Sequence, residues 1–490
     1  MHYGIAVRRP GPPPDPAQLC ADVAEKVRVR APALAYRLAG RGRRARWEPD
    51  PAFDPAHHVE FHRLPPGIGV HQAVMDALRV RPLSPDRPLW SLMVLHGDDE
   101  GAGHVLCYRA HHVFQDGMGI AGATRVLLGT ETLPPPEAGG TYWRSPGPAR
   151  RGLADLGRLG AASPRWFTAR PGGGQDLQLQ VTSLDSAPFH DIARATGASL
   201  AQIGIALVAG ALRAWNPTAW PPDLRPDVGP RGGLYGMRGG EGRDRASDGG
   251  EPGRAQNPHD GAGLRGEGDG GAWSEGAGTP GGGAGGGSWS DGVGRRGGGD
   301  SGGVWGAGRG GRGRSDGGGR WRKGRGRELV VALPVGLCGH RQHTALGNHT
   351  GLLPIAMPCD EPSTMARLER VTEQTTLRRI GHARQAARRL YGLPAAVAVP
   401  MLRLLSPLFR KDEPRRLSVT AIPLPKELAA RGEVFAVPGL APGLAGMVVI
   451  MPVGDTVSFS AVFDPRVSRS GELLGLLGQE LKELHALATR

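Results

Sequence analysis

Valine and leucine run almost without interruption through ELVVALPVGL (Glu328 to Leu337), between turn-forming sequences. That is the pattern of a strand buried on both faces. In TGASLAQIGIALVAGALRAW (Thr196 to Trp215), small and apolar residues fill nearly every position after a polar opening. This predicts a helix buried on most sides, with Ser199 as its N-cap. Further periodicities predict helices over Gln72 to Val80, Gly117 to Leu128, Met365 to Leu390 and Ser470 to Thr489. Strands are predicted at Trp90 to His96, Gly103 to Ala110, Leu352 to Met357, Arg416 to Ile422, Gly446 to Met451 and Thr456 to Phe463. The irregular alternation, with hairpin-like pairs near the end, predicts a mixed α/β (α+β) sandwich rather than a doubly wound parallel sheet.

One stretch breaks the pattern. From residue 217 to 327 aliphatic residues almost vanish, and the segment holds about half of the chain's 80 glycines. Such a sequence cannot bury enough apolar area to offset its ordering entropy, so a disordered Gly/Arg-rich insertion is predicted between a helix and a strand of one domain. The expected organisation is an N-terminal subdomain over 1–165 and a C-terminal one over 175–216 plus 328–490, interrupted by 217–327.

Composition narrows the partners. The net charge is +14. The insertion holds 17 basic and 13 acidic residues, an excess of only 4, so most of the positive charge lies on the remainder, and anionic partners are favoured. Cys20, Cys107, Cys338 and Cys359 are scattered, with no CxxC pair and no zinc-like spacing. They suit neither a disulfide framework nor a metal knot, and a reducing cytosol is the expected home. The start, MHYGIAVRRPGPPPDP, lacks a signal-peptide core, and no uninterrupted apolar run reaches the ~20 residues of a spanning helix. A soluble or peripheral protein is therefore expected.

The sharpest chemical feature is CYRAHHVFQDGMGI (Cys107 to Ile120), a strand running into His111 and His112, three residues, then Asp116, Gly117 and a helix. Adjacent side chains at a strand end point to opposite faces, so one histidine can enter a given cleft and the other is structural. An imidazole with a pKa of ~6.5 can take a proton from a hydroxyl at neutral pH. Asp116 can fix the turn through backbone or Arg partners, and Gly117 and Gly119 leave room at the start of the helix. An HH pair alone is a common accident of strands; the full spacing at a strand-to-helix junction is more specific. His57 and His58 form a second pair without the following DG, and a surface or structural role is expected for them.

With HHxxxDG in place, the chain resembles the wax ester synthase/diacylglycerol acyltransferase family, within the chloramphenicol acetyltransferase-like superfamily. The resemblance extends over nearly all of the chain except the insertion. It rests also on FDPAHHV (Phe53 to Val59), RPLW (Arg87 to Trp90), ATGASLAQIGIALVAGALR (Ala195 to Arg213), VALPVGL, ALGNHTGLLPIAMPCDEP (Ala345 to Pro362), LSVTAIPLP and VFAVPGLAPGLAGMVVI. It implies two chloramphenicol acetyltransferase-like subdomains with a central channel. It further implies His112 as general base, His111, Asp116 and Gly117 as supports, and Pro88, Leu89 and Trp90 as shapers of the fold or acceptor path. Asn348 is implied near the tunnel, and Thr420 is a weaker candidate for the developing oxyanion. The family usually carries Asn-Asp where this helix has Ala201-Gln202, and Asn where this chain has Ala421.

The implied reaction is acyl transfer from acyl-CoA, a co-substrate, to diacylglycerol or a long-chain alcohol, with no metal or resident cofactor. A cytoplasmic protein is implied, peripheral on the inner membrane face or on lipid droplets, with LYGLPAAVAVPMLRLLSPLF (Leu390 to Phe409) as a segment that could lie on lipid. Three readings compete. A condensation-type acyltransferase with a carrier-bound donor shares HHxxxDG but is disfavoured by the PLW-like and C-terminal matches. A catalytically impaired homologue would follow from the departures above. An RNA-binding role rests on GRGGRGR (Gly308 to Arg314), among few aromatics and many acids, so nucleic acid is not the expected partner. Deleting residues 217–327 separates an enzyme from the last of these: acyl transfer, measured by lipid separation, is expected to survive the deletion, whereas an RNA-binding protein loses its RNA.

Overall fold

Alternation along the first strand decides how the N-terminal half is layered. A computed structural model describes residues 1–40, 45–64, 67–80, 82–97, 103–129, 177–216, 329–337, 346–391, 416–441, 443–467 and 469–490. In β1 (His2–Arg9), Tyr3, Ile5 and Val7 enter one apolar cluster while Ala6 enters another on the opposite face. Both faces of the sheet are therefore covered. Strands β2 (Tyr36–Ala39) and β3 (Arg46–Pro49) form a separate hairpin. β4 (Val59–Arg63), β5 (Trp90–His96) and β6 (His104–His111) complete the N-terminal share of the sheet. Helices α1 (Pro16–Arg30) and α3 (Gly117–Leu128) cover the Tyr3 face, and α2 (Val70–Val80) covers the other. Strands covered on both faces read as near-continuous apolar runs, and six of the seven residues of β5 are buried.

The second half builds a six-stranded sheet from β7 (Leu179–Asp185), β8 (Leu329–Gly336), β9 (Thr350–Met357), β10 (Arg416–Ala421), β12 (Leu444–Val453) and β13 (Thr456–Phe463). Its order is β7-β13-β12-β10-β8-β9, with β10 parallel to both β12 and β8 and the other pairs antiparallel. Helices α4 (Ala187–Thr196), α5 (Leu200–Trp215), α6 (Thr364–Gln374), α7 (Leu377–Tyr391) and α8 (Leu477–Ala488) accompany it. Val331, Leu333, Val335, Val419, Val448 and Ile450 face α5 and its neighbours. Val449, Met451 and Val453 face the other way and share a cluster with α3 and the first sheet. This mixed α/β sandwich is the fold class read from the hydrophobic pattern.

One strand crosses between the halves. β11 (Glu433–Val437) belongs by position to the C-terminal half but pairs antiparallel with β1, giving a five-stranded sheet β11-β1-β6-β5-β4. Gly432 makes the entry possible: at φ +140° it lies so close to β1 that a Cβ would fall 1.8 Å from the Arg8 carbonyl oxygen.

Two predicted helices are interrupted. The single helix over Met365 to Leu390 is two, because Thr375 closes α6 by turning its hydroxyl back to the Val371 carbonyl at 2.7 Å. The hydroxyl of Thr375 also accepts from Gln202 Nε2 at 2.9 Å. The stretch from Ser470 forms two 3-10 turns before α8 begins, where Gly471 and Gly475 weaken helix formation. The apolar stretch over residues 392–409 and the insertion over 217–327 lie outside the described residues. Among the described residues no single helix is long and apolar enough to cross a membrane.

Ser199 caps α5 as its sequence predicts, within a capping box. Its Oγ accepts from Gln202 N at 3.3 Å, and Gln202 Oε1 accepts from Ser199 N at 2.8 Å. Replacing Ser199 by Ala is expected to lower stability by about 1 kcal/mol. The check is a lower urea midpoint at an unchanged m-value.

Candidate active site

The end of β6 sorts the two histidines by face. Tyr108 and Ala110 point toward the α3 side and Cys107 toward α2, so alternation sends His111 to the α2 face and His112 to the α3 face. The neighbours agree. The His111 ring meets His2 edge-on at 5.5 Å between centroids, and the His112 ring lies 4.9 Å from Tyr3 at 39°. His111 closes the turn: its Nδ1 accepts from Val113 N at 3.2 Å, and its carbonyl accepts from Phe114 N at 2.7 Å. It also ties β6 to the residues before β5, donating its N–H to the Leu89 carbonyl at 2.9 Å.

His112 has the greater chemical freedom. Its backbone N–H donates to the Met1 carbonyl at 3.1 Å, but its buried Nδ1 has no hydrogen-bond partner among the described residues. Burial pushes its pKa below the ordinary imidazole value, and its own carbonyl and the Asp116 carboxylate offset this only in part. At neutral pH the ring is therefore uncharged and can accept a proton.

Asp116 joins the loop to both halves. Its Oδ1 accepts from Met118 N at 3.1 Å and Gly119 N at 2.9 Å, which caps α3. Its Oδ2 accepts from His349 N at 3.2 Å and Thr350 Oγ1 at 3.3 Å, at the start of β9. The backbone partners expected for Asp116 are present, and those from β9 were not foreseen. Gly117 sits against the second sheet, where a Cβ would lie 3.0 Å from Ile422 Cδ1.

Gln115, fully buried, is the middle of this arrangement. Its Oε1 accepts from Tyr108 Oη at 2.7 Å, its carbonyl accepts from the Tyr3 hydroxyl, and its backbone bridges in parallel to Gly347. Gly347 N donates to the Phe114 carbonyl at 2.7 Å. Asn348 itself is exposed; the residues on either side of it make the contacts to the motif loop. Thr420 is 7% exposed on β10, on the same face as Ser418 and two residues before Ile422, so it shares the side of the sheet that meets Gly117.

Pro88 and Leu89 are buried beside the turn, and Trp90 is 1% exposed within the core. Its indole N–H donates to the Leu34 carbonyl at 2.7 Å, and its ring stacks on His58 at 4.5 Å and lies 5.7 Å from Tyr108. His58 in turn bonds the Trp90 carbonyl through Nδ1 at 2.9 Å, while His57 is exposed, as expected for a second pair without DG. The departure at Ala201-Gln202 has a structural use: Gln202 completes the α5 capping box and reaches Thr375. Ala421 packs at the margin of the second sheet's core. Tyr3, Gln115, His349 and Thr350 were missed by sequence reasoning. His349 and Thr350 lay one and two residues beyond Asn348, and Gln115 lay inside the motif itself. No local signal marks Tyr3, which reaches the site by pairing of β1 with β6.

Residues 1–190 match the family model described as the wax ester synthase/diacylglycerol acyltransferase catalytic domain. A candidate diacylglycerol O-acyltransferase of Mycobacterium tuberculosis is 34% identical over 88 residues, 18% of this chain and 20% of that protein. The match thus spans about a fifth of that relative's length. The first condensation domain of the calcium-dependent antibiotic synthetase matches with a TM-score of 0.51 at 17% identity, over 100% of this chain and 91% of that one. The wax ester synthase/diacylglycerol acyltransferase of Marinobacter aquaeolei matches with a TM-score of 0.46 at 16% identity, over 100% and 95%. The likeness to the condensation domain gives the chloramphenicol acetyltransferase-like fold.

An Asp116→Asn variant tests the four-donor carboxylate. Its remaining oxygen still caps α3, while its amide N–H meets the His349 N–H, donor against donor. A loss of about 1–3 kcal/mol is expected, because a part-buried donor loses its acceptor. Asp116→Ala, which also removes the cap, is expected to lose more; urea unfolding of both variants checks the order.

Proposed function

We propose that this chain, whose first 190 residues match a wax ester synthase/diacylglycerol acyltransferase catalytic domain, is an O-acyltransferase that uses His112 as its general base. The observation that carries the reading is His112 itself: a neutral, half-buried imidazole just past the end of β6, held by a loop clamped to both sheets. In the reaction His112 Nε2 takes the proton of the acceptor hydroxyl as its oxygen attacks the acyl-CoA thioester carbonyl. The tetrahedral oxyanion collapses, the C–S bond breaks, and the leaving thiolate recovers the proton from His112. Thr420 is the candidate to donate toward the oxyanion, and Asn348 would lie by the tunnel. No acyl-enzyme forms, and no metal or resident cofactor is required.

The charge around the site suits a donor bearing phosphates. Helix α7 carries Arg378, Arg379, Arg384, Arg388 and Arg389 and no acidic residue. Arg384 Nε donates to the Gly336 carbonyl and Arg388 Nη2 to the Leu337 carbonyl, each at 2.8 Å. These carbonyls close β8 next to α3, since a Cβ on Gly336 would lie 3.9 Å from Met118. Positive charge at that end would draw the nucleotide part of coenzyme A. Diacylglycerol and long-chain alcohols are the proposed acceptors, which makes the products triacylglycerol and wax ester. Such substrates fit a cytoplasmic protein that works at the inner membrane face or on lipid droplets.

Purified protein given radiolabelled palmitoyl-CoA with diacylglycerol and hexadecanol is expected to form triacylglycerol or wax ester. His112→Ala is expected to lose about 10²-fold or more. Labelled product from a carrier-bound donor alone would replace this reading with a condensation-type one. Because the base must be neutral and its pKa is lowered, kcat/KM is expected to hold as pH falls through about 6.5. It should then drop at the lower pKa of the folded state. An acid limb at or above pH 6.5 contradicts this.

A further inference from the structure

We propose that Tyr3 is a positioning residue for His112, setting the orientation of the imidazole through ring contact and a hydrogen bond to the loop that follows it. This rests on the general-base reading of His112. A catalytic histidine is commonly held by a bond to its second ring nitrogen, which fixes tautomer and direction. Here that nitrogen, Nδ1, is buried and bonds no neighbouring residue among those described, so beyond the pull of His112's own carbonyl the orienting falls to ring packing.

Tyr3 is built for that task. It is 8% exposed, and its ring lies 4.9 Å from the His112 ring at 39°. Its backbone is held in register opposite Ala110, two residues before His112, and the carbonyl of Met1, just ahead of β1, accepts the His112 N–H. Its hydroxyl donates to the Gln115 carbonyl, so one side chain touches the motif at its histidine and again three residues later. Tyr108 fixes the same Gln115 from behind, through Oε1. The Tyr3 hydroxyl stays protonated because burial, with Asp116 nearby, pushes its pKa well above the ordinary phenol value. The tyrosine is therefore a donor and an apolar wall, never a second base. The charged groups around His112 are the Asp116 carboxylate, which favours the imidazolium, and the Met1 amino group, which disfavours it. Burial, to which the Tyr3 ring contributes, outweighs both.

The test compares Tyr3→Phe and Tyr3→Leu with wild type and His112→Ala, all as the full chain, in the palmitoyl-CoA assay and by NMR titration of the His112 ring. The His112 resonance is identified by its loss in the His112→Ala protein. Tyr3→Phe keeps the wall and loses the bond, and kcat is expected to fall about 3- to 10-fold at constant KM. Tyr3→Leu loses both, and kcat is expected to fall about 30- to 100-fold with KM within about 2-fold, the scale of a misplaced catalytic group. In Tyr3→Leu water reaches the ring, so the titration midpoint and the acid limb of kcat/KM are both expected to move up toward about 6.5. A Tyr3→Leu protein with kcat within about 2-fold of wild type, or with an unmoved His112 titration, overturns the proposal. If Tyr3→Leu does not fold, Tyr3→Phe decides: an unchanged kcat and His112 titration overturn it. Activity retained in His112→Ala refutes the general-base reading instead, and the NMR titration still reports on Tyr3 in that case.

Discussion

A single carboxylate is the point on which the two halves of this chain agree. Asp116 receives two N–H groups from the first turn of α3, an N–H from His349 and the hydroxyl of Thr350. The first pair exists because every helix begins with donors that its own backbone cannot satisfy. The second pair exists because β9 begins where that carboxylate still has an oxygen to offer. The motif spacing follows: the histidine must end a strand, the acid must open a helix, and three residues must turn the chain between them.

Burial then divides the labour within the loop. Alternation along β6 places His111 among His2 and the turn it closes, and His112 against Tyr3 on the face shared with α3. The two histidines differ by one position in sequence and by a whole environment in space. The Nδ1 of His111 is taken up by the Val113 N–H, whereas the buried Nδ1 of His112 has no hydrogen-bond partner among the described residues.

Much of this was legible from residue types and spacing. The limits of β5, α3 and β13 follow directly from their apolar runs, and Ser199 was readable as a cap because a polar residue precedes an uninterrupted apolar helix. The break at Thr375 was not readable, because it depends on a hydroxyl that answers both its own helix and Gln202 from another. The resemblance makes Trp90 a shaper of the fold or acceptor path; its indole bond goes to Leu34, 56 positions away. Likewise the resemblance singles out Asn348, while the contacts fall to the backbone and side chains on either side of it. Local pattern encodes element limits and facing; contacts set by strand pairing between distant segments do not show in any window of sequence.

The placement of β11 has a consequence for biosynthesis. The first sheet has four strands from the opening 111 residues, but its fifth is drawn from residues 433 to 437. As the chain leaves the ribosome, one flank of β1 therefore presents bare N–H and C=O groups until more than four-fifths of the polypeptide has emerged. For that whole interval the nascent N-terminal half exposes a template for pairing with other chains, the situation in which holding chaperones are of most use. Closure of the sheet is in this sense a late, long-range event, and the loop that carries His111 and His112 is assembled beside a strand that waits for its partner.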